Sequence, residues 1–110
     1  MARKQTTLRR QNDPPMLILA SLADGPKHGH ALIKDISAFA GVELGPGALY
    51  GAIARLEEQG LIEALAPVER RRPYRITAAG AAALADVVRD LYRVSTVAAA
   101  RLGLSLGITG

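Results

Sequence analysis

Two clusters of cations are the part of this sequence best equipped for chemistry. Arg3, Lys4, Arg9 and Arg10 lie in the first ten residues, and Arg70, Arg71, Arg72 and Arg75 lie within six. Guanidinium groups this close repel one another unless an anion or solvent screens them. The second cluster therefore reads either as a solvated loop or as a seat for a polyanion. Acid–base, nucleophilic and metal chemistry is thinner. The chain has no cysteine, which excludes disulfides and thiolate zinc sites. His28 and His30 are the only histidines. Two residues apart, they fall on different faces of a helix and would converge only in a turn. Asp24 and Asp35 are not at ligand spacing to them. The Gly-Pro-Gly at 45–47 is not followed by the Lys-Ser/Thr of a phosphate-gripping loop. No catalytic site, metal or cofactor is expected.

The totals bound the rest. A chain of 110 residues suits one domain and one core. Small domains bury their apolar surface incompletely, so association with a second copy is a natural supplement. The net charge of +4 comes from 14 basic and 10 acidic residues. It is modest, and its distribution matters more than its size. No apolar run approaches the roughly 20 residues of a membrane span. The basic N-terminus is not followed by an apolar stretch of the signal-peptide kind. A cytoplasmic protein with no membrane partner is expected.

The elements that must position these groups are mostly helical. Residues 1–13 are polar, basic and aperiodic, and read as a flexible arm. Pro14-Pro15 opens "MLILASLAD", a short helix from Pro15 to Ala23 whose all-round apolar character calls for burial. "DGPKHGH" reads as punctuation. Leu32, Ile36 and Phe39 then recur at helical spacing, with Gly41 placed to end that helix. A third helix starts at Pro46 and stops at Gly60. Leu49, Ile53 and Leu56 form its apolar stripe, and Ala52 widens it. Its opposite face carries Gly47, Ala48, Gly51, Arg55 and Glu58. An interior glycine costs a helix roughly 1 kcal/mol against alanine. Gly51 is therefore read as clearing room for a partner. "LIEALA" and "PYRIT" read as two short strands joined by the basic link "PVERRR". Tyr74 and Ile76 share one face of the second strand. Thr77 is a credible N-cap for a long alanine-rich helix. Ala81, Leu84, Val88, Leu91, Ser95, Ala98 and Leu102 alternate spacings of three and four along it. This heptad seam lies either on its own domain or against a second copy. Pairing is preferred, because the helix is longer than the rest of the domain could cover.

The fold class is thus mainly α with a small β-hairpin: a winged helix-turn-helix plus a long C-terminal dimerisation helix. In that arrangement the third helix enters the major groove of DNA and the hairpin loop lies against the backbone.

The residues also carry a resemblance. "ILASLADGPKHGHALIKDI", "PGALYGAIARLEEQGLIE" and "RRRPYRITAAGAAAL" resemble the PadR family of bacterial transcription regulators, in its short form. Gly25, Pro26, His28, Gly29, Pro46, Gly47, Leu49, Tyr50, Leu56, Glu57, Gly60, Leu61, Ile62, Tyr74, Thr77 and Gly80 match the family pattern in order. The likeness covers about residues 16 to 85. His30 stands where tyrosine is usual and Ala48 where threonine is usual. Ala48 therefore lacks a hydroxyl that other members could turn to a phosphate or a helix cap. The resemblance implies a two-fold dimer in which the last helix meets the partner's first, which adds Leu17 to an interface of Leu84, Val88, Leu91, Ser95, Ala98 and Leu102. It also implies repression, and a small-molecule effector held between the subunits.

The expected organisation is a flexible arm at 1–13, a DNA-binding domain at 14–77, a dimerisation helix at 78–103 and a frayed tail at 104–110. A homodimer would bind a near-palindromic operator, with helix 46–59 in the major groove and the 67–72 wing on the backbone. Arg70, Arg71 and Arg72 are expected on phosphates or in a minor groove, and Arg9 and Arg10 on phosphates. Gly47, Ala48 and Gly51 supply clearance and backbone N–H groups. Tyr50 either reaches a phosphate through its hydroxyl or packs at the base of the helix. Arg55 either reads a guanine or pairs with Glu58. The alternative to an operator-binding regulator is a protein-interaction module that dimerises through the last helix without specific DNA binding.

Overall fold

The computed structural model of the chain describes residues 13–105. The basic arm with Arg9 and Arg10, and residues 106–110 of the tail, lie outside the described residues. The elements run α1 (Pro14–Leu22), β1 (Lys27–His28), α2 (Gly29–Ala40), α3 (Pro46–Glu58), β2 (Ile62–Ala64), β3 (Pro73–Ile76) and α4 (Ala78–Leu102).

The first three helices enclose the core. α1 begins on two prolines, whose missing N–H groups cost nothing in a first turn. It is apolar all round because it is covered all round: Leu17, Ile18, Leu19 and Leu22 are buried. Leu32 and Ile36 of α2 meet them, as do Leu49, Ala52, Ile53 and Leu56 of α3, and Ile62 closes the cluster. α2 ends at Gly41, whose left-handed backbone (φ 68°) lets its N–H bond the Ser37 carbonyl at 3.0 Å.

The hairpin of β2 and β3 acquires a third strand. β1 pairs antiparallel with the free edge of β3, giving the order β1-β3-β2. Lys27 faces Tyr74 and His28 faces Pro73 across one edge, and Ile62 faces Ile76 across the other. A side-chain network fixes β1 to the helices. Lys27 Nζ donates to the Ser21 carbonyl at 2.5 Å and pairs with Asp24. Buried Ser21 donates its hydroxyl to Asp35 at 2.6 Å. The two aspartates thus gather around a lysine. The Lys27 ammonium holds the Asp24 carboxyl below its ordinary value, through their hydrogen bond first and their charges second.

α4 leaves the sheet through a tight junction. Thr77 accepts the Gly80 N–H at 3.0 Å and donates to the Gly60 carbonyl at 2.7 Å. Gly80 is buried against the Leu61 carbonyl, where a Cβ would overlap the backbone oxygen.

Two of the residues expected at a dimer interface lie against the chain's own core. Leu17 is only 4% exposed and belongs to the chain's own core, because α1 is wrapped by α2 and α3. Leu84 is half-buried against that same core. From Val88 onward the large apolar residues of the seam are open surface.

Helix propensity alone would make Gly80→Ala about 1 kcal/mol more stable. Overlap with the Leu61 carbonyl should reverse that sign and cost roughly 1–3 kcal/mol. Denaturant unfolding measures it; a stabilised variant would place the α3–α4 junction elsewhere.

Candidate nucleic-acid interface

The surface presented by α3 is low. Gly47, Ala48, Tyr50 and Arg55 are exposed, and Gly51 is half-buried. A Cβ added at Gly47 would meet nothing, and one added at Gly51 would meet only the tip of Arg55 at 3.8 Å. No contact inside the described chain therefore requires glycine at either position. Arg55 makes no ion pair with Glu58 or with any other acid among the described residues. The N-terminus of α3 is equally bare. Gly45 offers no side-chain cap, and no acid stands in the first turn. The Leu49 N–H bonds the Gly45 carbonyl at 3.0 Å, which leaves the Gly47 and Ala48 N–H groups unclaimed by the helix.

The wing stands beside this surface. Val68 and Arg71 exchange two backbone hydrogen bonds, of 2.8 and 2.9 Å, across a two-residue turn. Glu69 and Arg70 occupy that turn with φ of 49° and 69°. Two positive φ values define the mirror-image turn that matches strand twist, and non-glycine residues adopt it at a cost. The three arginines then diverge. Arg70 points to solvent with no partner among the described residues. Arg71 places Nη1 3.2 Å from Nε2 of His28. Arg72 donates to the Leu65 carbonyl at 2.9 Å and so braces the wing.

Between the wing and α3 lies a cleft of about 330 Å3. His28, His30, Tyr50, Arg70, Arg71, Arg72 and Tyr74 supply its polar lining. Tyr50 of α3 stands over the start of α2. Its ring is half exposed, while its hydroxyl presses on Gly29 at the start of α2, where a Cβ would displace it. Partial burial, then nearby Glu57 and Tyr50, push the Tyr74 phenol above its ordinary value. At neutral pH Tyr74 is thus a protonated donor. No carboxylate lines the cleft. Among the described residues no three His, Asp or Glu side chains gather where a metal ion could sit.

Two contributors were not visible as site residues in the sequence. His28 enters because β1 carries it to the wing base, and a two-residue strand has no periodic signal. Tyr74, read from the sequence only as sharing a strand face with Ile76, also borders the cleft.

The fold is shared with known proteins. Residues 18–86 match the family model described as the transcriptional regulator PadR-like family. The chain belongs to the PadR-like family. The solved structure of a transcriptional regulator from Clostridium thermocellum superposes with a TM-score of 0.70 at 27% identity, covering 79% of this chain and 90% of that one. Transcriptional regulator Rv3488 of Mycobacterium tuberculosis is 39% identical over 77 residues, 67% of this chain and 71% of that protein. An uncharacterized 37.1 kDa protein in transposon TN4556 of Streptomyces fradiae is 45% identical over 86 residues, 78% of this chain. Those residues span only 25% of the transposon protein. By family this PadR-like chain stands among transcriptional regulators, and its winged helix is the family's fold.

Gly51→Ala should raise stability by about 1 kcal/mol in denaturant unfolding and weaken duplex binding. A destabilised variant would show that Gly51 answers to packing within the chain.

Proposed function

We propose that the protein binds a near-palindromic operator as a homodimer and represses transcription in the cytoplasm. α3 lies in the major groove and the wing follows the backbone. The observation that carries this reading is the adjoining placement of two uncovered surfaces: the glycine-thinned face of α3 with unpaired Arg55, and the cleft lined by three wing arginines. Contacts divide by chemistry. Gly47, Ala48 and Gly51 let the helix backbone approach, and the free N–H groups of its first turn suit phosphate. Arg55 is the long donor available for a guanine edge. Arg70 and Arg71 neutralise phosphates at the wing. Bound there, the protein represses by occupying DNA that the transcription machinery needs.

The dimeric part rests on α4. Its 25 residues extend about 37 Å, well past the three-helix core. Val87, Val88, Leu91, Tyr92, Val94, Val97 and Leu102 remain exposed along it. An apolar row of this extent on a small chain calls for a partner, and the heptad spacing suits a second copy. Ser95 spends its hydroxyl on the Leu91 carbonyl, and Thr96 donates to the Tyr92 carbonyl at 2.6 Å. Neither hydroxyl would enter an interface unsatisfied. A depression on the flank of this helix, lined by Val88, Arg89, Tyr92, Arg93, Thr96 and Val97, is the place for a small effector.

Selection from a random duplex pool tests the reading: recovered sites should be near-palindromes with half-sites about 34–36 Å apart, or a multiple of that. On such a site, Arg70→Ala with Arg71→Ala should flatten the slope of log affinity against log salt by ~0.9 per lost phosphate contact. An unchanged slope would remove the wing from the interface.

Leu91→Glu should yield monomers in sedimentation, since it places a charge in the apolar row. A dimer that survives would put the partner on another face.

A further inference from the structure

Resting on that duplex-binding reading, we propose that His28 and Arg71 together seat one phosphodiester of the DNA backbone, with His28 a direct contact. The free chain leaves an arrangement of donors unresolved there.

The His28 ring lies between two groups that can only donate. Its Nδ1 is 3.3 Å from the Ala31 N–H, and its Nε2 is 3.2 Å from Nη1 of Arg71. A neutral imidazole accepts at one nitrogen and donates at the other, while a guanidinium has no acceptor at all. One edge of the ring must therefore face a donor with a donor. The two edges are not equivalent. Ala31 lies in the first turn of α2, where the helix provides no acceptor for its N–H, and that contact is partly buried. His28 is the N-cap of this helix. Giving up the bond there would orphan a backbone donor away from water. The Arg71 edge is exposed. The mismatch settles at that edge: Nδ1 accepts from Ala31, and Nε2–H confronts the guanidinium.

Two donors thus stand 3.2 Å apart with no acceptor between them, at the margin of a cleft that no carboxylate lines. A phosphodiester, with two unesterified oxygens and one negative charge, resolves the mismatch by accepting from both. The groups are held for it. His28 is fixed by its cap bond and by the pairing of β1 with β3. Arg71 is fixed by the double backbone bond of the wing turn. Glu69, the acid in that turn, borders a second groove that His28, Arg71 and Lys27 also line, yet it makes no ion pair with Arg71. The seat is therefore unfilled by the chain itself, in contrast to Arg72, which the Leu65 carbonyl occupies.

The test separates this seat from DNA binding as such. In the free protein, long-range proton–nitrogen spectra should show the proton of His28 on Nε2, and Arg71→Ala should melt at the wild-type temperature or above. A proton on Nδ1, or a clear fall in melting temperature, would make the contact an ordinary structural hydrogen bond and overturn the proposal whatever DNA does. On a selected duplex, His28→Asn keeps a residue favoured as an N-cap and removes Nε2. It should bind about tenfold more weakly, as expected for one lost charge-assisted hydrogen bond, with melting unchanged. Combined with Arg71→Ala, the loss should fall on the order of tenfold to thirtyfold, short of the roughly hundredfold of independent contacts. Full affinity in His28→Asn, or losses that multiply, would overturn the seat and leave duplex binding standing. A wild-type protein that selects no duplex would overturn both.

Discussion

The pairing of two residues, Lys27 and His28, with the edge of β3 is the constraint on which the functional surface depends. The three-helix core would hold α3 without it. The wing would not be held in the same place. β2 follows α3 directly, and on that side Ile62 anchors the hairpin in the helical core while the Leu61 N–H bonds the Leu56 carbonyl at 2.9 Å. β1 ties the other side. It does so with backbone hydrogen bonds to β3 and with Lys27, which reaches back to the end of α1. The cleft between α3 and the wing exists because both edges of β3 are occupied. This short strand also carries His28 to the wing and starts α2 immediately afterwards, so a single residue serves sheet, helix cap and site.

Much of the fold was legible because its signals are strong and local. Proline starts, glycine stops and a three-to-four apolar spacing located α2 and α3 to within a residue or two. Thr77 was legible as a cap because its hydroxyl acts on a neighbour three residues away. The apolar character of α1 announced burial. It could not announce by what: Leu17 was assigned to a second copy, yet the chain's own helices cover it. That distinction depends on how three helices wrap one another, and no periodicity within one helix encodes it. β1 was illegible for a related reason. Two residues cannot alternate, and their strand character comes entirely from a partner more than forty positions away.

The site divides along the same line. Exposure of Gly47, Ala48 and Arg55 followed from the stripe on the other side of their helix. The arginine run was visible as a charge cluster, but its three members have different fates. Arg72 is turned inward to a backbone carbonyl, Arg71 is turned to His28, and Arg70 sits in the strained turn itself. Those fates are set by the two-residue turn, which alternates the side chains about the hairpin. The composition of the run says nothing of that turn. Gly51 and Gly80 make the same point from opposite directions. Both interrupt good helices, but only Gly80 has a backbone oxygen where its side chain would be.

The hydroxyls of Ser95 and Thr96 close on carbonyls of their own helix, and this has a consequence for how two copies would sit together. Polar atoms that reach across a seam act as pegs, fixing one register against all others. On the dimeric reading, this seam has apolar side chains at its centre and no such pegs among these two residues. Its hold comes from area, which resists separation far more than it resists sliding or small rotation. The two reading heads would then be joined by a compliant coupling. Operators differing slightly in the phase of their halves would be accommodated at little cost, and a small molecule wedged into the seam would have an easy axis along which to shift them.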